Sequence, residues 1–263
     1  MIEPALADDA FLRDVEEAPA SALHLWWLGQ SGFLVKLDDR YLLLDPYLSD
    51  SLTEKYEGTP TPHVRMTRRV VDPARLAFVD VVTASHGHTD HLDPLTLRAL
   101  RPRALVCPTG LQALAVERAD VFPHVVDVDQ TVAVEGFRFT AVRAEHDVPG
   151  GAVGFVVESG PWTLYHSGDT TAYVGLGERL RRFTPDVALL PINGKLGNMD
   201  GRDAARVANE ARAGLAIPCH FEMFEFNSAS PDVFVEACAR LGQPCRVLRA
   251  GERLTLAAPR QGR

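Results

Sequence analysis

The segment Ser85-His86-Gly87-His88-Thr89-Asp90-His91 limits the possible folds of this chain more than any other feature. It places three imidazoles and one carboxylate within six residues. Once buried, each of these groups needs a hydrogen-bond partner, and three neighbouring imidazoles repel when protonated. A divalent cation resolves the conflict, because neutral imidazole and carboxylate are natural ligands for it. The alternate spacing of His86 and His88 puts both on one side of extended backbone, and Asp90 and His91 fall past a turn where they can face a second ion. The competing reading is a polar surface loop with a chance run of histidines. Its context argues against that: the apolar run Asp80–Ser85 leads in as a buried strand. Behind the loop, Asp93 and Pro94 open a helix as N-cap and first helical residue.

Four ligands in one loop are too few for two ions, so the fold has to bring others from a distance. His146 follows the strand-like FRFTAVRAE, Asp169 follows WTLYHSG and His220 follows LAIPC. Each is the first strongly coordinating residue after a buried-looking strand, and strand ends at one sheet edge are where a site collects its residues. Taken singly, a histidine there is a common surface or capping residue, and the aspartate of Ser-Gly-Asp-Thr is a common turn former. Taken with the His86–His91 loop, all three read as metal ligands.

The rest of the chain supplies a frame for such a site. Residues 1–20 read as an N-terminal arm or helix, and 21–258 as one domain. Strands are expected at Ala22–Leu28, Phe33–Leu37 and Tyr41–Asp45, then a long mixed connection over 46–75. The helix at 93–100 is followed by a strand at Ala104–Cys107 and a helix at Gly110–Arg118. Five short strands fill 124–166. Helices at Tyr173–Arg182, Arg202–Arg212 and Pro231–Leu241 then alternate with strands at Val187–Pro191, Leu215–Cys219 and Arg246–Leu248. This order suggests two similar halves, each a mixed sheet with helices on its outer face, packed sheet to sheet.

Bulk properties agree with a globular α/β (α+β) protein. The chain has 263 residues, 46% apolar and 24% charged, enough to bury a core without covalent staples. A net charge of -8 argues against a nucleic-acid partner while allowing a small anionic substrate at a local basic cluster. Four cysteines without a CxxC spacing fit reduced thiols. The acidic first twenty residues lack the apolar region of a secretory signal, and no run spans a bilayer, so a cytoplasmic location without membrane attachment is expected.

SHGHTDHLD, AEHD, YHSGDT and IPCHF together resemble the metallo-β-lactamase superfamily. WWLGQSGFLVK, YLLLDPYLSD and PHVRMTRRVVDP narrow the likeness to the branch holding the L-ascorbate-6-phosphate lactonases and related metal-dependent hydrolases. The likeness runs from Leu23 to about Leu256. It implies a four-layer αββα sandwich with the site at one edge. It also implies His86, His88 and His146 on one metal, Asp90, His91 and His220 on the other, and Asp169 bridging both. Those lactonases carry an aspartate at the His146 position; the histidine here is the commoner hydrolase pattern and departs from the strict lactonase one.

The implied activity is hydrolysis by a hydroxide shared between two divalent ions, with zinc favoured and manganese or iron as the other choices. A small lactone or ester, possibly carrying phosphate, is the expected substrate. Asp90 would both ligate and orient the attacking water. His166 reads either as a proton donor to the leaving group or as a hydrogen-bonded structural residue. Arg65, Arg68 and Arg69 either hold a phosphate or form a solvated charged loop. Asn193, Glu222 and Asn227 follow strands near the site and are candidate substrate contacts, and homo-oligomers remain open. Trp26, Trp27 and Cys219 read as core. Two alternatives use the same scaffold: a phosphodiesterase or nuclease, and a di-iron redox enzyme. The first usually adds an RNA-binding segment, and the second carries a glutamate at the His88 position beside a flavin partner.

Overall fold

The computed structural model describes residues 1–259. Two mixed sheets form its centre. The first runs in the order β13-β1-β2-β3-β4-β5-β6 and the second in the order β12-β11-β10-β9-β8-β7. In the first sheet β1 (Leu23–Gly29), β2 (Gly32–Leu37) and β3 (Arg40–Leu44) form an antiparallel meander. β4 (Val81–Thr83), β5 (Leu105–Pro108) and β6 (His124–Val126) then continue in parallel. The second sheet repeats this plan. β7 (Thr131–Val134), β8 (Phe137–Arg143), β9 (Val153–Ser159) and β10 (Trp162–His166) are antiparallel neighbours, and β11 (Val187–Pro191) and β12 (Leu215–Cys219) extend the sheet in parallel. The two similar halves expected from the sequence are therefore present.

Central strands such as β1, β2, β4, β10 and β11 are buried along their whole length. Such strands show no apolar/polar alternation because both of their faces are covered. Helices provide the outer layers. On the first sheet lie α1 (Asp8–Glu16), α3 (Pro94–Leu100) and α4 (Gln112–Ala119), and on the second α5 (Leu176–Arg181), α6 (Gly201–Glu210) and α7 (Asp232–Leu241). The result is an αββα sandwich with one continuous apolar cluster through both sheets. None of the described helices is long and apolar enough to cross a membrane.

The N-terminal arm is docked. Phe11 and Val15 of α1 are buried, Phe11 meets the Trp26 ring edge-on at 6.4 Å, and Trp26 Nε1 donates to Asp14 Oδ2 at 2.8 Å. Lys36, itself buried, gives its ammonium to the carbonyls of Val15 (3.1 Å) and Ala18 (2.7 Å), closing the C-terminal end of α1. Trp27 stacks on Phe221 at 4.5 Å and Cys219 is buried, so the residues read as core are core.

Three expectations need correction. Arg246–Leu248 forms no strand: Pro244 lacks an N–H, and the segment makes only an isolated bridge through Cys245 to Ala216. The edge strand of the first sheet is β13 (Arg253–Leu256), which pairs with β1. The helix expected from Tyr173 starts only at Leu176, after Gly175 in the left-handed region (φ 89°). In the 46–75 connection the chain forms a short helix, α2 (Ser51–Lys55), and a 3-10 turn over Pro73–Leu76.

Asp93 is the N-cap of α3 as expected, accepting from the backbone N–H of Leu95 and Thr96. It also takes the hydroxyls of Ser49 (2.6 Å) and Ser51 (2.8 Å), which ties the 46–55 segment to the loop carrying the histidines. Asp93→Ala removes the cap and orphans three hydroxyls, those of Ser49, Ser51 and Thr96. Urea unfolding should show a loss of about 2–3 kcal/mol, and a loss under 0.5 kcal/mol would contradict this role.

Candidate metal centre

Strands β1, β3, β4, β8, β10, β11 and β12 all end at the same edge of the sandwich, as their pairing directions require. The residues just beyond those ends meet there. From β4 come His86, His88, Asp90 and His91, from β8 His146, from β10 Asp169 and from β12 His220.

Two groups of donors form. In the first, His86 Nε2 and His146 Nε2 lie 3.0 and 3.2 Å from His88 Nδ1. These three nitrogens and an Asp169 oxygen all fall within 4.8 Å of one another. Burial pushes His86 and His88 below the ordinary imidazole range, so both are neutral near pH 7. The second group is Asp90, His91 and His220. His220 Nε2 sits 3.6 Å from Asp90 Oδ2, and His91 Nε2 sits 3.7 Å from it. Asp169 lies between the groups, with Oδ1 3.2 Å from His91 Nε2 and Oδ2 3.3 Å from His220 Nε2 and 4.0 Å from His146 Nε2.

The chemistry of the set fits divalent metal. His91 Nε2 and Asp169 Oδ1 are buried and, though close, are not aligned to hydrogen-bond, so each is left without a partner. Orphaned donor atoms of this kind are costly unless an ion occupies the space between them. In the metal-free protein, burial opposes charge on His91 and His220, but the carboxylates of Asp169 and Asp90 outweigh it. His91 rises well above its ordinary range and His220 rises to about 9. Burial likewise opposes ionisation of Asp90 and Asp169, yet the imidazolium charges facing them hold both below the usual carboxylate range. Without metal, protons hold the site together.

Two positioning residues were not singled out from the sequence. Asp45, just past β3, is fully buried and accepts from Ser85 N (3.0 Å), Thr83 Oγ1 (3.0 Å) and Ser85 Oγ. It also engages His91 Nδ1 at 2.8 Å, which fixes the ring and aims Nε2 into the site. Asp45 could have been found by the strand-end logic that picked Asp169. Gln30, in the β1–β2 turn, donates from Nε2 to Asp90 Oδ2 (2.7 Å), lies with that nitrogen 3.0 Å from His220 Nε2, and accepts at its carbonyl from the His220 backbone N–H (2.9 Å). A neutral amide in a Gly-flanked turn gave no signal.

The donors form the floor of a cavity of about 340 Å³, whose walls include Leu52, Tyr56, His63, Phe224 and Asn227. Of the other expected site residues, Asn227 reaches this cavity and Asn193 supports it, donating from Nδ2 to Asn227 Oδ1 at 2.8 Å. The remaining expectations are corrected. His166 is buried between the sheets with Nε2 on the Ser31 carbonyl (2.9 Å), and it does not line the cavity. Glu222 is held outside it by its backbone contacts to Ser228 and Thr67. Arg65, Arg68 and Arg69 line a separate surface depression. Arg65 pairs with Asp50 at 2.7 Å, and Arg68 pairs with Glu3 at 2.8 Å and Asp8 at 3.1 Å.

Comparison with known proteins agrees with this geometry. The model of the Beta-lactamase superfamily domain matches residues 24–220. A "UPF0173 metal-dependent hydrolase" of Opitutus terrae is 33% identical, with 88% of this chain and 98% of that protein covered. A possible metal-dependent hydrolase from Veillonella parvula superposes with a TM-score of 0.75 at 18% identity, covering 89% of this chain and 100% of that one. CmlA, a diiron β-hydroxylase from Streptomyces venezuelae, superposes with a TM-score of 0.67 at 15% identity, over 91% of this chain and 54% of its own. At these identities the two structures speak for the fold alone.

Replacing Asp45 by Asn keeps its shape but removes the charge that orients His91. Competition with a chelating dye should show metal affinity lowered by about 10- to 100-fold, and unchanged affinity would remove Asp45 from the site. The raised imidazoles predict a pH effect as well. Their contribution to the metal-free fold is complete below about pH 6.5 and is lost as pH rises through about 9, while metal uptake needs those same protons gone. The gain in Tm of metal-loaded over chelated protein should therefore grow from pH 6.5 to 9. Calorimetry showing a flat or falling gain would contradict the proton-held site.

Proposed function

On the premise that this chain belongs to the β-lactamase superfamily and is a metal-dependent hydrolase, we propose that it holds two divalent ions and opens a small lactone or ester. The observation that carries this reading is the position of Asp169 between the two groups at the floor of an open cavity: Oδ1 faces His91, and Oδ2 faces both His220 of that group and His146 of the other. His86, His88 and His146 would hold one ion, Asp90, His91 and His220 the other, with Asp169 shared. An all nitrogen and oxygen ligand set suits zinc, with manganese or iron as the alternatives. Bound there, such a pair supplies Lewis acidity for the substrate carbonyl and lowers the pKa of the attacking water towards neutrality.

The chain's own residues do the positioning. Asp90 lines the cavity, and Gln30 holds its Oδ2, so the carboxylate is fixed where it can take the proton of an attacking water. Asp45 and Ser85 keep His91 from rotating. Gly197, in the left-handed region at φ 85°, lets its loop lie against His146: its carbonyl is 3.3 Å from Nδ1, and a Cβ there would come within 2.9 Å of that nitrogen. Arg65, Arg68 and Arg69 lie outside the cavity, so they offer no phosphate site beside the donors.

The test is metal analysis of the purified protein with a panel of lactones and esters beside bis(p-nitrophenyl) phosphate. About two ions per chain and lactone or ester turnover, lost by at least about 100-fold in Asp169→Ala, are expected. Turnover of the diester alone would replace this reading with a phosphodiesterase. Oxygen consumption with a visible charge-transfer band would replace it with a redox enzyme.

A further inference from the structure

Part of the cavity wall has a composition that the hydrolytic chemistry does not require. Tyr56 and His63 stack at 4.1 Å with their planes 19° apart. His63 in turn meets Phe224 and Phe226 edge-on, at 5.0 and 4.5 Å. Leu52 and Leu196 complete this side, and Leu196 is 68% exposed. Leu52, Tyr56, Phe224 and Phe226 belong to a small apolar cluster of their own with Tyr47 and Met223, separate from the main core.

The cluster is built from the two segments that flank the ligands. One is the 46–63 connection, tied to the histidine loop through Asp93. The other is 221–227, which directly follows His220. They are clamped together where Arg65 bridges to Phe224 and Met66 N donates to Met223 O at 2.8 Å. The wall is thus fixed relative to the donors and not a mobile flap.

The ring wall itself carries no charge, while Arg118 and Lys55 line the same cavity as cations. His63 donates Nδ1–H to the Thr61 carbonyl at 3.0 Å, and partial burial holds it below the ordinary imidazole range, so the ring is a neutral aromatic surface. Arg118 lines the cavity but spends its guanidinium on the carbonyls of Gly87 (2.9 Å) and Leu92 (3.0 Å). Lys55 remains at the rim, 5.2 Å from the Tyr56 ring centre.

We propose that Tyr56, His63 and Phe224 form a recognition wall for a flat apolar group, aryl or similar, attached next to the bond that is cleaved. This rests on the hydrolytic reading above and narrows its substrate class. Such a group gains by displacing water from the apolar side chains and by ring-to-ring contact, while its scissile carbonyl reaches the donors across the same cavity. Tyr56 and His63 are specificity-determining residues, not catalytic ones.

The wall can be tested with the full chain in its metal-loaded form. Dihydrocoumarin and δ-valerolactone share a six-membered lactone ring and differ by a fused benzene ring. In Tyr56→Ala and His63→Ala, kcat/KM for dihydrocoumarin should fall about 3- to 10-fold each, mostly through KM, while δ-valerolactone changes by less than about 2-fold. His63→Gln serves if an alanine variant fails to fold, as judged by circular dichroism and metal content. A second readout needs no turnover: by calorimetric titration phenylacetate should bind at least about 5-fold more tightly than acetate, and the difference should vanish in the variants. Equal binding of the two acids, or variants that slow both lactones alike, overturns the wall. Selective phenylacetate binding without hydrolysis of either lactone leaves the wall standing and defeats the lactone reading instead.

Discussion

The buried carboxylate of Asp45 is the contact on which the rest of this centre depends. It sits at the end of β3, next to β4 in a parallel pair, and takes the Ser85 backbone N–H together with the hydroxyls of Thr83 and Ser85 and a ring nitrogen of His91. A buried carboxylate is tolerable only when its lone pairs are met in this way. Once met, it fixes the first turn after β4, and the turn fixes which ring atoms face the cavity. The ligand loop is therefore held by the sheet through a side chain from the neighbouring strand. Ligand geometry is an extension of strand pairing.

The second sheet joins by a different device. His220 stands in the left-handed region at φ 60°, as do Gln30 (φ 50°) and Asp45 (φ 38°). Such residues cost of order 1–3 kcal/mol each and persist only where the surroundings hold them. Here the holding contacts are reciprocal. The Gln30 carbonyl accepts from the His220 N–H, and the Gln30 amide reaches the His220 ring and Asp90. Each strand end is turned sharply towards the cavity, and the turn of one is secured by the other. Gly168 serves the same convergence, since a Cβ at that φ of 56° would collide with Ser85.

Much of this was legible in the sequence because the ligands obey a local rule: a coordinating residue follows each buried strand. That rule found His146, Asp169 and His220 beside the His86–His91 loop. It applies equally to Asp45, which stands at the end of the strand expected at Tyr41–Asp45. Gln30 was beyond reach, since its role exists only through contacts to Asp90 and His220. The arginine cluster misled for a physical reason. Thr67 bridges to Ile2 and Arg65 to Phe224, so the segment is extended and its side chains alternate; Arg68 turns out to Glu3 and Asp8. Of the two readings of His166, the hydrogen-bonded structural one holds. It is still within β10 and faces the interior, whereas Asp169, three residues on, lies past the turn. Arg253–Leu256 alternates as Arg-Leu-Thr-Leu, but four residues are too short a run to stand out as a strand.

The donors are spread along nearly the whole polypeptide: Gln30 and His220, in contact, are 190 positions apart, and His88 and His146 are 58 apart. Closing loops of that size comes late in folding, because the entropy is spent before the contact repays it. A ribosome-bound chain lacking β12 has Asp90 and His91 but no His220 to complete their group. The first group, His86, His88, His146 and Asp169, draws on both halves but is complete before β12, so the second group is the last part of the centre to be assembled.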